Sequence, residues 1–128
     1  MPGLKTETFG GGDQSWLGST HGIANARTEI LDISTFTSGT HYPNGFIPSG
    51  LPVAKVGGVL VPYDATEGTT TGAGILAGFV LTDRKVDGTA DFAVALLDHG
   101  RVRTAKLPIA FAAPTAAAKR AATTFVFI

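Results

Sequence analysis

The 128-residue chain has no cysteine. Disulfide staples, thiolate metal sites and cysteine nucleophiles are therefore excluded, and a reducing compartment suits the composition. It also has no excess of charge, since ten Lys and Arg balance ten Asp and Glu. A nucleic-acid binder needs a basic surface to displace counterions from phosphates, and neither the total nor a local run provides one. The nearest cluster, RVRTAK at 101–106, reads as a strand with Arg101 and Arg103 on one solvated face. Long apolar runs are missing too. The longest, FAVALL at 92–97, falls far short of the ~20 residues that cross a bilayer as a helix. MPGLKTETFGGG at the start lacks the apolar centre of a secretory leader. The expectation is a soluble protein made in the cytoplasm, with neither a nucleic-acid nor a membrane partner.

The usual signatures of chemistry are equally sparse. FGGGD at 9–13 has no GK[ST] ending and no strand before it, so it reads as a permissive segment rather than a phosphate loop. His21, His41 and His99 lie in loop-like contexts without the i, i+4 spacing of a helical zinc site. Asp98 and His99 are adjacent, and neighbouring strand residues point to opposite faces, so DHG reads as a turn rather than an Asp–His pair. Asp83, Asp87 and Asp91 recur every fourth residue without the denser oxygen ligands and closing Glu of a calcium loop; Asp87-Gly88 reads as a tight turn. No G-x-S-x-G is present, and nothing singles out a pair of carboxylates for acid–base work. The residues call for no metal, no cofactor and no enzyme.

What is present is punctuation. Seventeen glycines and seven prolines against 16% charged residues indicate short strands and many turns, hence a mostly-β fold in a single small domain with at most an appendage. Residues 1–45 differ from the rest. TFGGGDQSWLGSTHGIANA is rich in Gly, Ser, Thr and Asn, with isolated large apolar groups at Phe9, Trp16, Leu17 and Ile23. RTEILDISTF at 27–36 reads as a strand with Leu31 and Ile33 alternating against Asp32 and Ser34, and Asn44-Gly45 reads as a turn. This stretch is expected to be an arm with one segment that becomes a strand beside a neighbour. Trp16 in such surroundings is either tucked onto its own body or an anchor for a partner.

From Phe46 onward the pattern is denser. Strands are expected at 52–56, 58–62, 74–81, 91–97 and 101–107, with a hairpin turn at His99-Gly100. In FAVALL both alternating faces are apolar, so both should be covered, one by the core and the other by a subunit. PTAAAKRAATT is the one helix candidate, with Thr115 as its N-cap, and TFVFI closes the chain as a strand.

GLPVAKVGGVLVPYD, followed by GTTTGAGILAGFVLTDRKVDG and then DFAVALLDHGRVRTAKLP, resembles the head decoration proteins of tailed phages, the family typified by that of phage lambda. The likeness covers residues 46–128, and it is the order and spacing of the pieces that carry it. The DQSWLGSTHG segment looks more like the decoration proteins of phages that infect actinobacteria. The resemblance implies a β-clip-like body (46–128) and an extended capsid-binding arm (1–45). It also implies homotrimers on the exterior of the expanded head at local threefold positions, where they lock the phage major capsid protein in place. Arm residues expected to face the capsid are Phe9, Trp16, Leu17, His21, Ile30, Leu31, Ile33 and Phe36. A virion-displayed glycan-binding module, with Trp16, Tyr42 and His41 as a sugar platform, is the alternative. A β-clip nucleotide hydrolase ranks behind both.

Overall fold

A computed structural model of the chain describes residues 14–18, 26–66, 72–86, 88, 90–114, 119 and 123–128. In chain order its strands are β1 (Arg27–Leu31), β2 (Phe46–Ile47), β3 (Pro52–Val56), β4 (Val59–Pro62), β5 (Leu76–Val80), β6 (Arg84–Lys85), β7 (Phe92–Leu97), β8 (His99–Val102) and β9 (Thr124–Phe127). One short helix, α1 (Ser38–His41), and 3-10 turns at Ile33–Thr35 and Thr104–Lys106 complete the described elements. The fold is mostly β with little helix.

Five strands close into a barrel in the order β1-β4-β3-β5-β7. Its tightest unit is the β3–β4 hairpin, where Val56 faces Val59 across Gly57-Gly58. Both glycines take positive φ, 64° and 87°, as the two-residue turn that matches strand twist requires. β1 runs antiparallel along β7 over its whole length but meets β4 in parallel through the single register pair Leu31–Leu60. The Asp32 N–H donates to the Leu60 carbonyl at 3.0 Å to complete that seam.

The barrel interior holds Leu31, Ile33, Phe36, Ile47, Leu51, Val53, Leu60, Val80, Val94 and Leu96. A second layer covers the outside of β5 and β7, where Trp16, Leu76, Phe79, Leu81, Leu97 and Val102 pack with Phe111, Phe125 and Phe127. Phe79 lies at its centre, with ring centroids 5.0 Å from Phe125, 5.3 Å from Phe111 and 5.6 Å from Trp16. This explains the doubly apolar FAVALL. Val94 and Leu96 face the barrel interior, while Ala95 and Leu97 face the second layer, which this same chain supplies.

Several expectations need correction. The 27–36 strand stops at Leu31, because Asp32 caps a 3-10 turn by accepting from the Ser34 N–H at 3.1 Å and the Ser34 hydroxyl at 2.6 Å. Within the supposed arm, Arg27–Leu31 is barrel wall, and Leu31, Ile33 and Phe36 belong to the core. The His99-Gly100 hairpin does not form. Both edges of β7 are already paired, with β1 and β5, so the chain leaves the barrel at Asp98. β8 then pairs in parallel with β9 and, through Val102, with Leu17. The strand expected at 101–107 ends at Val102 and gives way to the 3-10 turn. The helix candidate in PTAAAKRAATT lies outside the described residues except for its ends and Lys119, and the short helix present is α1.

Candidate functional site

The segment Gln14–Gly18 forms a clasp on the second layer. Trp16 is fully buried. Its indole N–H donates to Ser49 Oγ at 2.9 Å, and the Ser49 hydroxyl donates to the Leu81 carbonyl at 2.6 Å. Gln14 Nε2 donates to the same carbonyl at 2.7 Å, and the Ser49 N–H donates to Asp83 Oδ1 at 2.8 Å. The backbone joins β8 as well. The Arg103 N–H donates to the Trp16 carbonyl at 2.7 Å, and the Gly18 N–H to the Arg101 carbonyl at 2.8 Å. Arg103 Nη1 adds bonds to the Ser15 and Leu17 carbonyls at 3.4 and 3.2 Å. Gly50 forms the floor beneath the indole, since a Cβ there would lie 2.9 Å from both Trp16 Cδ1 and Nε1.

Of the two roles open to Trp16, the structure therefore places it on its own body. Leu31, Ile33 and Phe36 are likewise core residues, 0%, 3% and 5% exposed, and present no side chain to a capsid. Leu17 is half-buried against the second layer. Ile30 is 43% exposed on the outer face of β1, opposite Ala93. Phe9 and His21 lie outside the described residues. Sequence reasoning missed Ser49, Gly50 and Arg103. They are distant in sequence from the indole they hold, and only the isolated Trp16 hinted at a seat.

No sugar platform of Trp16, Tyr42 and His41 is formed. Trp16 is sealed in the second layer, whereas Tyr42 packs against the barrel cluster. His41 Nδ1 accepts from the Thr37 N–H at 2.8 Å, and its ring meets Phe36 edge-on at 5.4 Å. Burial lowers the His41 pKa below the usual histidine value. His41 also borders a shallow cleft of about 270 Å³ with Thr35, Val61, Pro62, Tyr63, Asp64 and Ala73. The Tyr63 phenol there donates to the Ala112 carbonyl at 2.7 Å, and its pKa is raised, first by burial and then by the neighbouring Asp64 carboxylate.

The Asp98–His99 pair, set aside in the sequence, does form. His99 Nδ1 lies 3.0 Å from Asp98 Oδ1, because Asp98 occupies the joint between β7 and β8 rather than a strand position. The carboxylate also faces Arg27 at 3.8 Å, and Arg27 and Lys55 share Glu29 at 3.3 and 3.1 Å. The pair belongs to this chain of charges. Among the described residues, no group of three or more His, Asp and Glu is placed to hold a metal ion.

The outer face of β8 and β9 has another character. Arg101 and Arg103 are exposed around buried Val102, and Val126 and Ile128 are 49% and 54% exposed. Comparisons with protein-family models, with curated proteins and with solved structures each return no match.

Proposed function

We propose that this chain is a capsid decoration protein, a non-enzymatic cement that binds the exterior of an expanded phage head and stabilises it. The reading rests on the ordered likeness to the head decoration family. One observation carries it further: the quoted stretches supply β3, β4, β5 and β7, four of the five barrel strands. The motif thus supplies most of the barrel wall, which β1 completes. The finer β-clip assignment, the homotrimer at local threefold positions and the major capsid protein as partner belong to the same proposal, as does a location on the virion exterior.

The clasp refines where the capsid-reaching element begins. Leu31, Ile33 and Phe36 are committed to the barrel core and Trp16 to the second layer, so the leading contact role is assigned to residues 1–13, which include Phe9, with His21 and the exposed Ile30 as the remaining candidates. Three copies of such a contact on one trimer raise the effective concentration of each.

The test mixes purified protein with undecorated expanded heads and sediments them. Full-length protein is expected to co-sediment, and a chain starting at Gln14 to remain in the supernatant. Equal binding of the shortened chain would remove the N-terminal segment from the reading, and failure of both would remove the reading itself. Light scattering after size exclusion reports separately whether the free protein is trimeric.

A further inference from the structure

From His99 to Ile128 the chain carries Arg101, Arg103, Lys106, Lys119 and Arg120 but no Asp or Glu. Arg101 lies exposed on β8, and Arg103 follows the end of that strand at Val102. Arg101 has no ion-pair partner among the described residues, and the Arg103 guanidinium is bonded only to neutral carbonyls. Arg101 stands opposite Val126 in the β8–β9 register. Among the described residues, the exposed surface is therefore an apolar strip along β9 beside Arg101, a cation that no described acidic side chain pairs.

The strip borders an open sheet edge. β9 bonds β8 through alternate residues: the Thr124 N–H donates to the Asp98 carbonyl at 3.0 Å and the Ile128 N–H to the Val102 carbonyl at 2.8 Å. The Ile128 carbonyl accepts from the Thr104 N–H at 3.2 Å. In a parallel ladder this phase turns the N–H and C=O groups of Phe125 and Phe127 away from β8. Among the described residues no partner meets them. TFVF also carries none of the charges or prolines that usually guard an edge.

We propose that β9 accepts an extended polypeptide segment of alternating acidic and apolar residues as an additional strand. The outward main-chain groups of Phe125 and Phe127 supply the ladder, and the apolar side chains of the incoming strand lie against Val126 and Ile128. The added strand sits ~4.8 Å from β9 and ~10 Å from β8, a gap that an arginine and a glutamate side chain span together across Val126. A basic strand is repelled by this face, and a purely apolar one would cover Arg101 without pairing it. The site is independent of the capsid reading and concerns any protein that offers such a strand.

The probe is a fluorescein-labelled, end-capped peptide of about ten alternating Glu and Val residues, titrated into the full-length protein beside its Lys/Val counterpart. The Glu/Val peptide is expected to bind more tightly. Arg101→Glu should weaken it by about fivefold or more and reverse the preference toward Lys/Val. Amide exchange should slow at Phe125 and Phe127 when the Glu/Val peptide is present. Absence of binding, equal binding of the two peptides, indifference to Arg101→Glu or unchanged exchange at both phenylalanines would each overturn the proposal. So would displacement of the peptide by single-stranded DNA of similar length, which would assign the face to phosphates.

Discussion

The indole N–H of Trp16 and the hydroxyl of Ser49 meet at 2.9 Å in a site closed to solvent. The hydroxyl in turn donates to the Leu81 carbonyl, so one serine satisfies a donor and an acceptor together. Ser49→Ala leaves both without that partner. A loss of about 1–3 kcal/mol is expected, the usual range for an orphaned buried polar group, measured by urea unfolding at constant pH.

Gly50 tests the same seat from below. Its φ of +93° already disfavours a side chain, and an added Cβ would meet Trp16 at 2.9 Å and Pro108 Cδ at 3.0 Å. Gly50→Ala is expected to cost more than about 1 kcal/mol. Trp16 is the sole tryptophan, so displacement of its ring should also appear as a red shift in emission. An unshifted spectrum with unchanged stability would show that the indole does not depend on this floor.

Two neighbours on β1 separate barrel wall from attached arm. Leu31 is fully buried, whereas Ile30 is 43% exposed. Leu31→Ala should destabilise by about 2–5 kcal/mol, as for a core leucine, and Ile30→Ala by no more than about 1 kcal/mol. Mild effects at both positions would mean that β1 is docked loosely.

His41 predicts a pH dependence. Burial lowers its pKa in the folded state, so between that value and the unfolded value of about 6.5 the unfolded chain binds more protons. The contribution is complete above about pH 6.5 and is lost as pH falls through the folded pKa. Protonation at Nδ1 would also remove the acceptor of the Thr37 N–H. His41→Gln should flatten this part of the stability profile on the acid side of neutrality. A profile that keeps its slope in the variant would point to another group.

The body was largely legible in the sequence because its strands announce themselves locally. PVAKV-GG-VLVP carries alternation, a two-glycine turn and a second strand within eleven residues, and the hairpin forms there. FAVALL declared two covered faces, although not what covered the second. What failed depended on distant partners. RTEIL reads as an arm strand until β7 is seen to offer it a complete edge. His99-Gly100 reads as a turn until both edges of β7 are found to be occupied. The clasp was the least legible part, because Ser49, Gly50 and Arg103 are unremarkable residues whose roles exist only once Trp16 lies between them.

The clasp also sets a load path. Gln14–Gly18 lies beside β8 and is bonded to it at Trp16 and Gly18. A pull on the chain upstream of Gln14 therefore reaches these bonds and the keyed indole before it reaches β1. The parallel β1–β4 contact, with its single register pair, comes after that anchor along the chain. Trp16 acts as strain relief, as a knot does where a cord enters its housing.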